Sequence, residues 1–238
     1  SALYGQALSS ALILESNDLP EKTEASFSAH IIGIGGGLQK LAKNKKSSYG
    51  FTYNFTHLGL AFAIIKQKQD YFQNPVYHEG DINFRIKTPK NGMVKYYGYF
   101  STGKVGYRVA DIDSANLKNA LHLKNPNTYH NINWRQNLNN GWKLFTALSV
   151  SYNKTEFGQQ LQNSANQQLI FQYPVGYEFK NFDINSTQTF TQARVVADKK
   201  LGGLSAFRFG ADYFYSHEKA LFITPCYCFI QQIFSCTK

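Results

Sequence analysis

The chain has 238 residues and a formal net charge of +10; 16% of its side chains are aromatic, mostly Tyr and Phe, against a single Met. Its longest apolar run, LGLAFAII from Leu58 to Ile65, is too short for a spanning helix, which needs about 20 residues. No basic residue precedes the apolar opening stretch, since Lys22 is the first, so no secretory leader is visible.

Many rings beside many Asn, Gln, Ser and Thr suit strands with one apolar and one wet face. The basic residues are scattered apart from LAKNKK, Leu41 to Lys46, which reads as a solvated loop. Charge alone therefore points to no nucleic acid.

In chain order, the alternation predicts nine strands at roughly 23–34, 47–55, 59–67, 80–88, 93–102, 128–138, 142–153, 188–198 and 204–216. SYGFTYNF, Ser48 to Phe55, sets Tyr49, Phe51, Tyr53 and Phe55 on one face and small or polar residues on the other. A short turn near Thr56-His57 leads into LGLAFAII, read as the third strand. Asn91-Gly92 is the strongest two-residue hairpin signal; with it as the turn, Ile86 faces Tyr97, Phe84 faces Tyr99 and Ile82 faces Ser101. At Asn139 to Gly141 a two-residue turn would mix the faces. A three-residue loop with Gly141 left-handed instead sets Trp134, Ile132 and Leu138 beside Trp142, Leu144, Leu148 and Val150. KKLGG, Lys199 to Gly203, leads into a strand with Phe207, Phe209, Tyr213 and Tyr215 on one face.

Between these tight turns fall long polar connections at 35–46, 68–79, roughly 104–128 and roughly 154–187. Short turn and long loop in alternation is the habit of outer-membrane barrels, and most segments are long enough to cross a bilayer. The expected fold is all-β: an antiparallel up-and-down meander of about nine long strands forming a partial, unclosed transmembrane β-barrel. Tyr97, Tyr99, Trp134 and Trp142 are expected against lipid, and Arg85, Asn133, Arg135 and Arg208 toward the lumen.

Chemistry-bearing motifs are weak. GYFSTGKV, Gly98 to Val105, lacks the final Ser/Thr of a phosphate loop and lies in a strand. GIGGG, Gly33 to Gly37, reads as a glycine-rich loop apex. DIDSAN, Asp111 to Asn116, begins like a calcium loop but has Ala115 and His122 where ligands belong. Sequons stand at Asn54, Asn153 and Asn185. The histidines are scattered, and Cys226, Cys228 and Cys236 match no zinc spacing. No catalytic, metal or cofactor residues are assigned, and the reading is of a protein that is not an enzyme.

The opening SALYGQALSSALILESNDLPEK resembles the end of the plug domain of TonB-dependent outer-membrane receptors. There an L-Y-G element, here Leu3-Tyr4-Gly5, precedes a last plug strand, here about Leu8 to Ser16. FRIKTPKNGMVKYYGYF and NTYHNINWRQNLNNGWKLFTALSVS look like barrel hairpins of that family, and the similarity covers roughly residues 1–218. It implies a barrel of about 22 strands with a plugged lumen. Such a receptor sits in the outer membrane of a Gram-negative bacterium and imports an iron chelate, cobalamin, glycan or peptide. Its partners are outer-membrane lipid and a TonB-type energy-transducing protein. The chain departs from the pattern in lacking the N-terminal box and the closing strands. It is therefore expected to be a truncated piece, inactive alone: residues 1–22 the last plug strand and linker, 23–218 the first barrel strands, and 219–238 an atypical Cys-containing tail. A small porin-like barrel and a soluble secreted β-rich adhesin remain as rival readings.

Overall fold

The computed structural model describes residues 18–66, 68–171, 176–202 and 205–224. Leu3-Tyr4-Gly5, the expected last plug strand and the three cysteines lie outside them. The described chain forms one antiparallel sheet that does not close into a ring. Its strands are β1 (Glu24–His30), β2 (Gly33–Leu41), β3 (Ser47–His57), β4 (Asp70–Thr88), β5 (Gly92–Ala110), β6 (Lys118–Lys124), β7 (Asn127–Asn137), β8 (Trp142–Gln162), β9 (Phe182–Gly202) and β10 (Ser205–Ile223). Each pairs with the next in sequence, except that β6 and β7 lie end to end between β5 and β8. Asn125 and Pro126 interrupt that lane; proline has no N–H to give to the ladder.

Ten strands replace the expected nine, because the expected connection at roughly 104–128 contains β6; that at 68–79 is mostly β4. Two further expectations about the first third are overturned, and these two cancel in the strand count. The segment read as a strand at 59–67 is a short helix, α1 (Gly59–Ile64). LGLAFAII is apolar throughout without alternating, a pattern that does not distinguish strand from helix. Conversely, the glycine-rich stretch read as a loop apex is β2. Low strand propensity hid it, but close approach explains it: a Cβ on Gly33 would lie 2.1 Å from the Phe55 carbonyl oxygen, and one on Gly35 2.1 Å from Asn54 Oδ1. The polar neighbours of β2 fill the space its missing side chains leave. β10 continues to Ile223, pairing with Asp183, past residue 218.

The connections separate by end. At one end lie 42–46, 89–91, 138–141 and the two-residue gap between Gly202 and Ser205. At the other lie the longer connections 58–69, which carries α1, 111–117 and 163–181, together with the tight turn between His30 and Gly33. The strands themselves are long, 19 residues in β4, β5 and β10 and 21 in β8 and β9. Soluble strands usually have about five or six.

The Asn139–Gly141 loop has the expected form, with Gly141 at φ 73° and Asn137 paired with Lys143. The hairpin at Asn91-Gly92 does not. Lys90 and Asn91 both take φ 56°, and the Gly92 N–H donates to the Pro89 carbonyl at 3.2 Å. The loop is therefore Pro89–Asn91, and Thr88 pairs with Gly92. Ile86 faces Val94 and Phe84 faces Tyr96, while Tyr97 and Tyr99 pair with Asn83 and Asp81. An odd shift in register exchanges the faces, so these two tyrosines lie on the polar side, not with Ile86, Phe84 and Ile82.

Replacing Gly33 by Ala is expected to push β2 and β3 apart at a cost of about 2 kcal/mol. The check is faster amide hydrogen exchange at His57, whose N–H donates to Ile32.

Candidate functional site

The register, followed strand by strand, sorts the whole sheet into two surfaces. One carries Phe27, Ile34, Leu38, Tyr49, Phe51, Tyr53, Ile82, Phe84, Ile86, Val94, Tyr96 and Phe100. It continues through Ile132, Trp134, Leu148, Val150, Val195, Phe207, Phe209, Tyr213 and Tyr215. These rings and aliphatic groups face outward: Phe51 is 48% exposed, Leu148 46% and Phe209 50%. From β3 to β10 the rows of Ile86, Phe84, Ile82 and Gly80 hold no Asp, Glu, Lys or Arg on this surface.

β8 shows the layering best. Its ringed face reads Trp142, Leu144, Thr146, Leu148, Val150, Tyr152, then Lys154. The ten rises from Trp142 to Tyr152 span about 34 Å, or about 26 Å in height at a strand tilt of ~40°, the thickness of a lipid-facing band with aromatic girdles. Trp142 packs edge-on against Phe209 at 5.9 Å, with the Lys199 ammonium 5.1 Å from its ring centre.

The opposite surface is polar. One row runs Arg85, Lys95, Asn133, Ala147, Arg194, Asp212; the next runs Asn83, Tyr97, Asn131, Ser149, Gln192, Phe214. Arg85, Asn133, Arg135 and Arg208 lie here, and Trp134 and Trp142 lie on the ringed face, as expected from the sequence. Tyr97 and Tyr99 are the rings expected against lipid that the register sets on this side, beside Tyr129, Phe145, Phe190 and Phe214; Pro89, one residue ahead of the positive-φ pair, is the signal that moves the turn. Arg194 grips Asp212 with two bonds, Nε–Oδ1 at 2.6 Å and Nη2–Oδ2 at 3.0 Å, and Arg208 holds Asp198 in the same manner.

The described N-terminal segment crosses this polar surface. Asp18 accepts from Lys95 Nζ at 3.0 Å and Arg135 Nη2 at 2.9 Å, and Thr23 Oγ1 accepts the Leu41 N–H at 3.2 Å. Six residues thus reach from the β5–β7 pair to β2. Beside their path Met93, Ser48 and Asn83 are buried, and Ser48 Oγ, Asn83 Oδ1 and Gln39 Nε2 have no hydrogen-bond partner among the described residues. Gln39, Gly50 and Asn83 are cross-strand neighbours, and a Cβ on Gly50 would lie 2.3 Å from Gln39 Oε1. The glycine leaves the room in which the two amides lie.

The DIDSAN stretch has become an ion-pair anchor between two of the longer connections. Lys180 Nζ lies 2.7 Å from both carboxylate oxygens of Asp111, 2.6 Å from Asp113 Oδ2 and 4.3 Å from the centre of the Tyr177 ring. Asn119 Nδ2 and the Asp113 N–H also donate to Asp111, whose side chain is 1% exposed. The ammonium stands where a loop cation would. Burial pushes the Asp111 pKa up, but the bonds from Lys180, Asn119 and the Asp113 N–H outweigh it and hold the carboxyl below its ordinary range. Burial likewise opposes the charge of Lys180, and its two carboxylate partners raise its pKa.

GYFSTGKV lies wholly within β5, and the three sequons fall in β3, β8 and β9. Among the described residues no three metal-ligating side chains come together. Single histidines pair instead with other groups: His78 with Tyr53, His130 with Tyr96, both at 2.8 Å, and His122 with Asp183 at 3.4 Å.

A lowered Asp111 pKa means the anchor's contribution is complete above the unfolded value of 3.8 and is lost as pH falls through the folded value. A raised Lys180 pKa means its contribution is lost only above 10.5. Proteolysis of the 111–117 and 163–181 connections is therefore expected to be slow and unchanged between these limits and to accelerate in acid. Lys180→Met should leave Asp111 buried without its cation and destabilise the anchor by about 3 kcal/mol, read as faster cleavage of the same two connections at neutral pH.

No protein-family model matches the chain, and no curated protein or solved structure does.

Proposed function

We propose that the chain is part of the wall of an outer-membrane β-barrel receptor of the TonB-dependent kind, its ringed surface against lipid and its polar surface against the lumen. The observation that carries this reading is the ringed face of β8, where aliphatic side chains are bracketed by Trp142 and Tyr152 and followed by Lys154. Strands of 19 to 21 residues, and longer connections that all lie at one end while the other end has only short ones, add support. The Asp18 strap is what a segment joining an interior plug to the wall requires, since it must leave the polar surface to enter β1.

The sheet has two open edges among the described residues, β1 and β10. In hydrocarbon, unpaired backbone groups cost several kcal/mol each. Further strands must therefore cover both edges before the wall can surround a lumen. On this reading the section alone imports nothing, and its role is to supply wall and lumen surface to a receptor for a scarce nutrient powered from the inner membrane. The open edges weigh against a self-contained small porin, and the exposed rings weigh against a soluble adhesin.

The two surfaces should answer oppositely to charge. Leu148→Arg, on the ringed face near the middle of the band, is expected to cost about 2–4 kcal/mol of folding stability in phosphatidylcholine vesicles. Ser149→Arg, its neighbour on the polar face, should cost far less. Urea titration of the vesicle-inserted chain measures both; equal costs would remove the membrane reading.

A further inference from the structure

Immediately beyond the apolar band, the ringed surface turns basic. Lys104 and Lys124 are direct cross-strand partners on β5 and β6. Lys154 lies on the adjoining strand β8, and Lys219 on β10 occupies the same row as Lys154, with Thr187 between them. One carboxylate serves the group: Glu156 lies 2.5 Å from Lys154 and 3.6 Å from Lys124. Lys104 is exposed and has no ion-pair partner among the described residues.

Like charges directly opposite in a sheet destabilise it, so a Lys–Lys pair with so little counter-charge calls for an anion from outside. Its height identifies the anion's source. The row below holds Phe100, Tyr53 and Tyr152, with Tyr53 and Phe100 stacked at 6.3 Å. Aromatic rows of this kind lie at the level where hydrocarbon gives way to headgroups. The lysines at the other end of the sheet are differently disposed: Lys199 lies over Trp142 and donates to Asn140, and Lys40 lies over Tyr49.

We propose that Lys104, Lys124, Lys154 and Lys219 form an outward-facing binding surface for a phosphate-bearing lipid headgroup at the long-loop rim of the sheet. Lys104 and Lys124 supply its centre, and Glu156 orients Lys154 and Lys124 toward the same level. This rests on the membrane reading above and adds the chemistry of the lipid on one leaflet.

The test uses the full chain inserted into vesicles of phosphatidylcholine alone or of phosphatidylcholine mixed with phosphatidic acid, then extracted in mild detergent for native mass spectrometry. Retained phosphatidic acid is expected on the parent chain. It should fall about tenfold in Lys104→Gln/Lys124→Gln and stay unchanged in Lys87→Gln and Lys143→Gln, which alter lysines of the polar face. Equal retention in the double variant and the parent chain overturns the surface while leaving the membrane reading intact. Displacement of the lipid by equimolar inorganic phosphate would assign the site to free phosphate and overturn the lipid source.

Discussion

Everything in this molecule depends on a two-residue period kept in phase across ten paired strands. A strand's side chains alternate by geometry, but a coherent surface forms only if every neighbour pairs in the same parity. A slip of one residue would transfer an entire strand's rings to the other side. Here the parity is kept from Phe27 on β1 to Tyr215 on β10. The result is a continuous apolar sheet surface backed by a continuous polar one, with little covered apolar core between: Ala61, Val76, Met93, Ala120 and Leu161 are the described apolar residues that are buried. So few buried apolar groups among the described residues do not make a conventional interior. On the membrane reading proposed above, the driving force comes from hydrocarbon against the ringed face, over the band that β8 marks out.

The turns are the devices that keep the phase. Gly141, with its left-handed backbone, closes a three-residue loop that returns Trp142 to the side of Trp134. Pro89 closes a loop of equal length with Lys90 and Asn91 at positive φ, which sets Val94 beside Ile86. Both hairpins are thus odd in loop length and even in pairing sum, and both preserve the same two surfaces. At β2 the phase is kept in another way. Its glycines leave the polar surface almost free of side chains, so that Ser26, Ser28, Thr52 and Asn54 can crowd in from both sides.

The polar surface is organised by ion pairs across strands and by the N-terminal strap. Asp18 neutralises two cations that belong to different strands, Lys95 and Arg135, which ties the entry of the chain to the middle of the sheet. Ser48 Oγ, Asn83 Oδ1 and Gln39 Nε2, unpartnered among the described residues, lie in the same quarter. At the far rim, Lys180 binds Asp111 and Asp113 and so holds two long connections together. These contacts join residues far apart in sequence.

Much of the fold was legible because alternation is a local property. SYGFTYNF, the Trp134–Trp142 hairpin and the Phe207–Tyr215 segment each announce a strand and its ringed side from a handful of residues. By themselves the residues determined the strand class, most strand positions and the sidedness of Trp134, Trp142, Arg85, Asn133, Arg135 and Arg208. What failed depended on partners outside the local window. LGLAFAII has no alternation to read, GIGGG is a strand only because its neighbours approach so closely, and Tyr97 and Tyr99 changed sides through a turn set one residue upstream. Only the tertiary structure decided that register, the Asp18 strap and the Lys180 anchor. A side chain's direction follows from its own backbone, whereas its surface follows from which strand stands beside it.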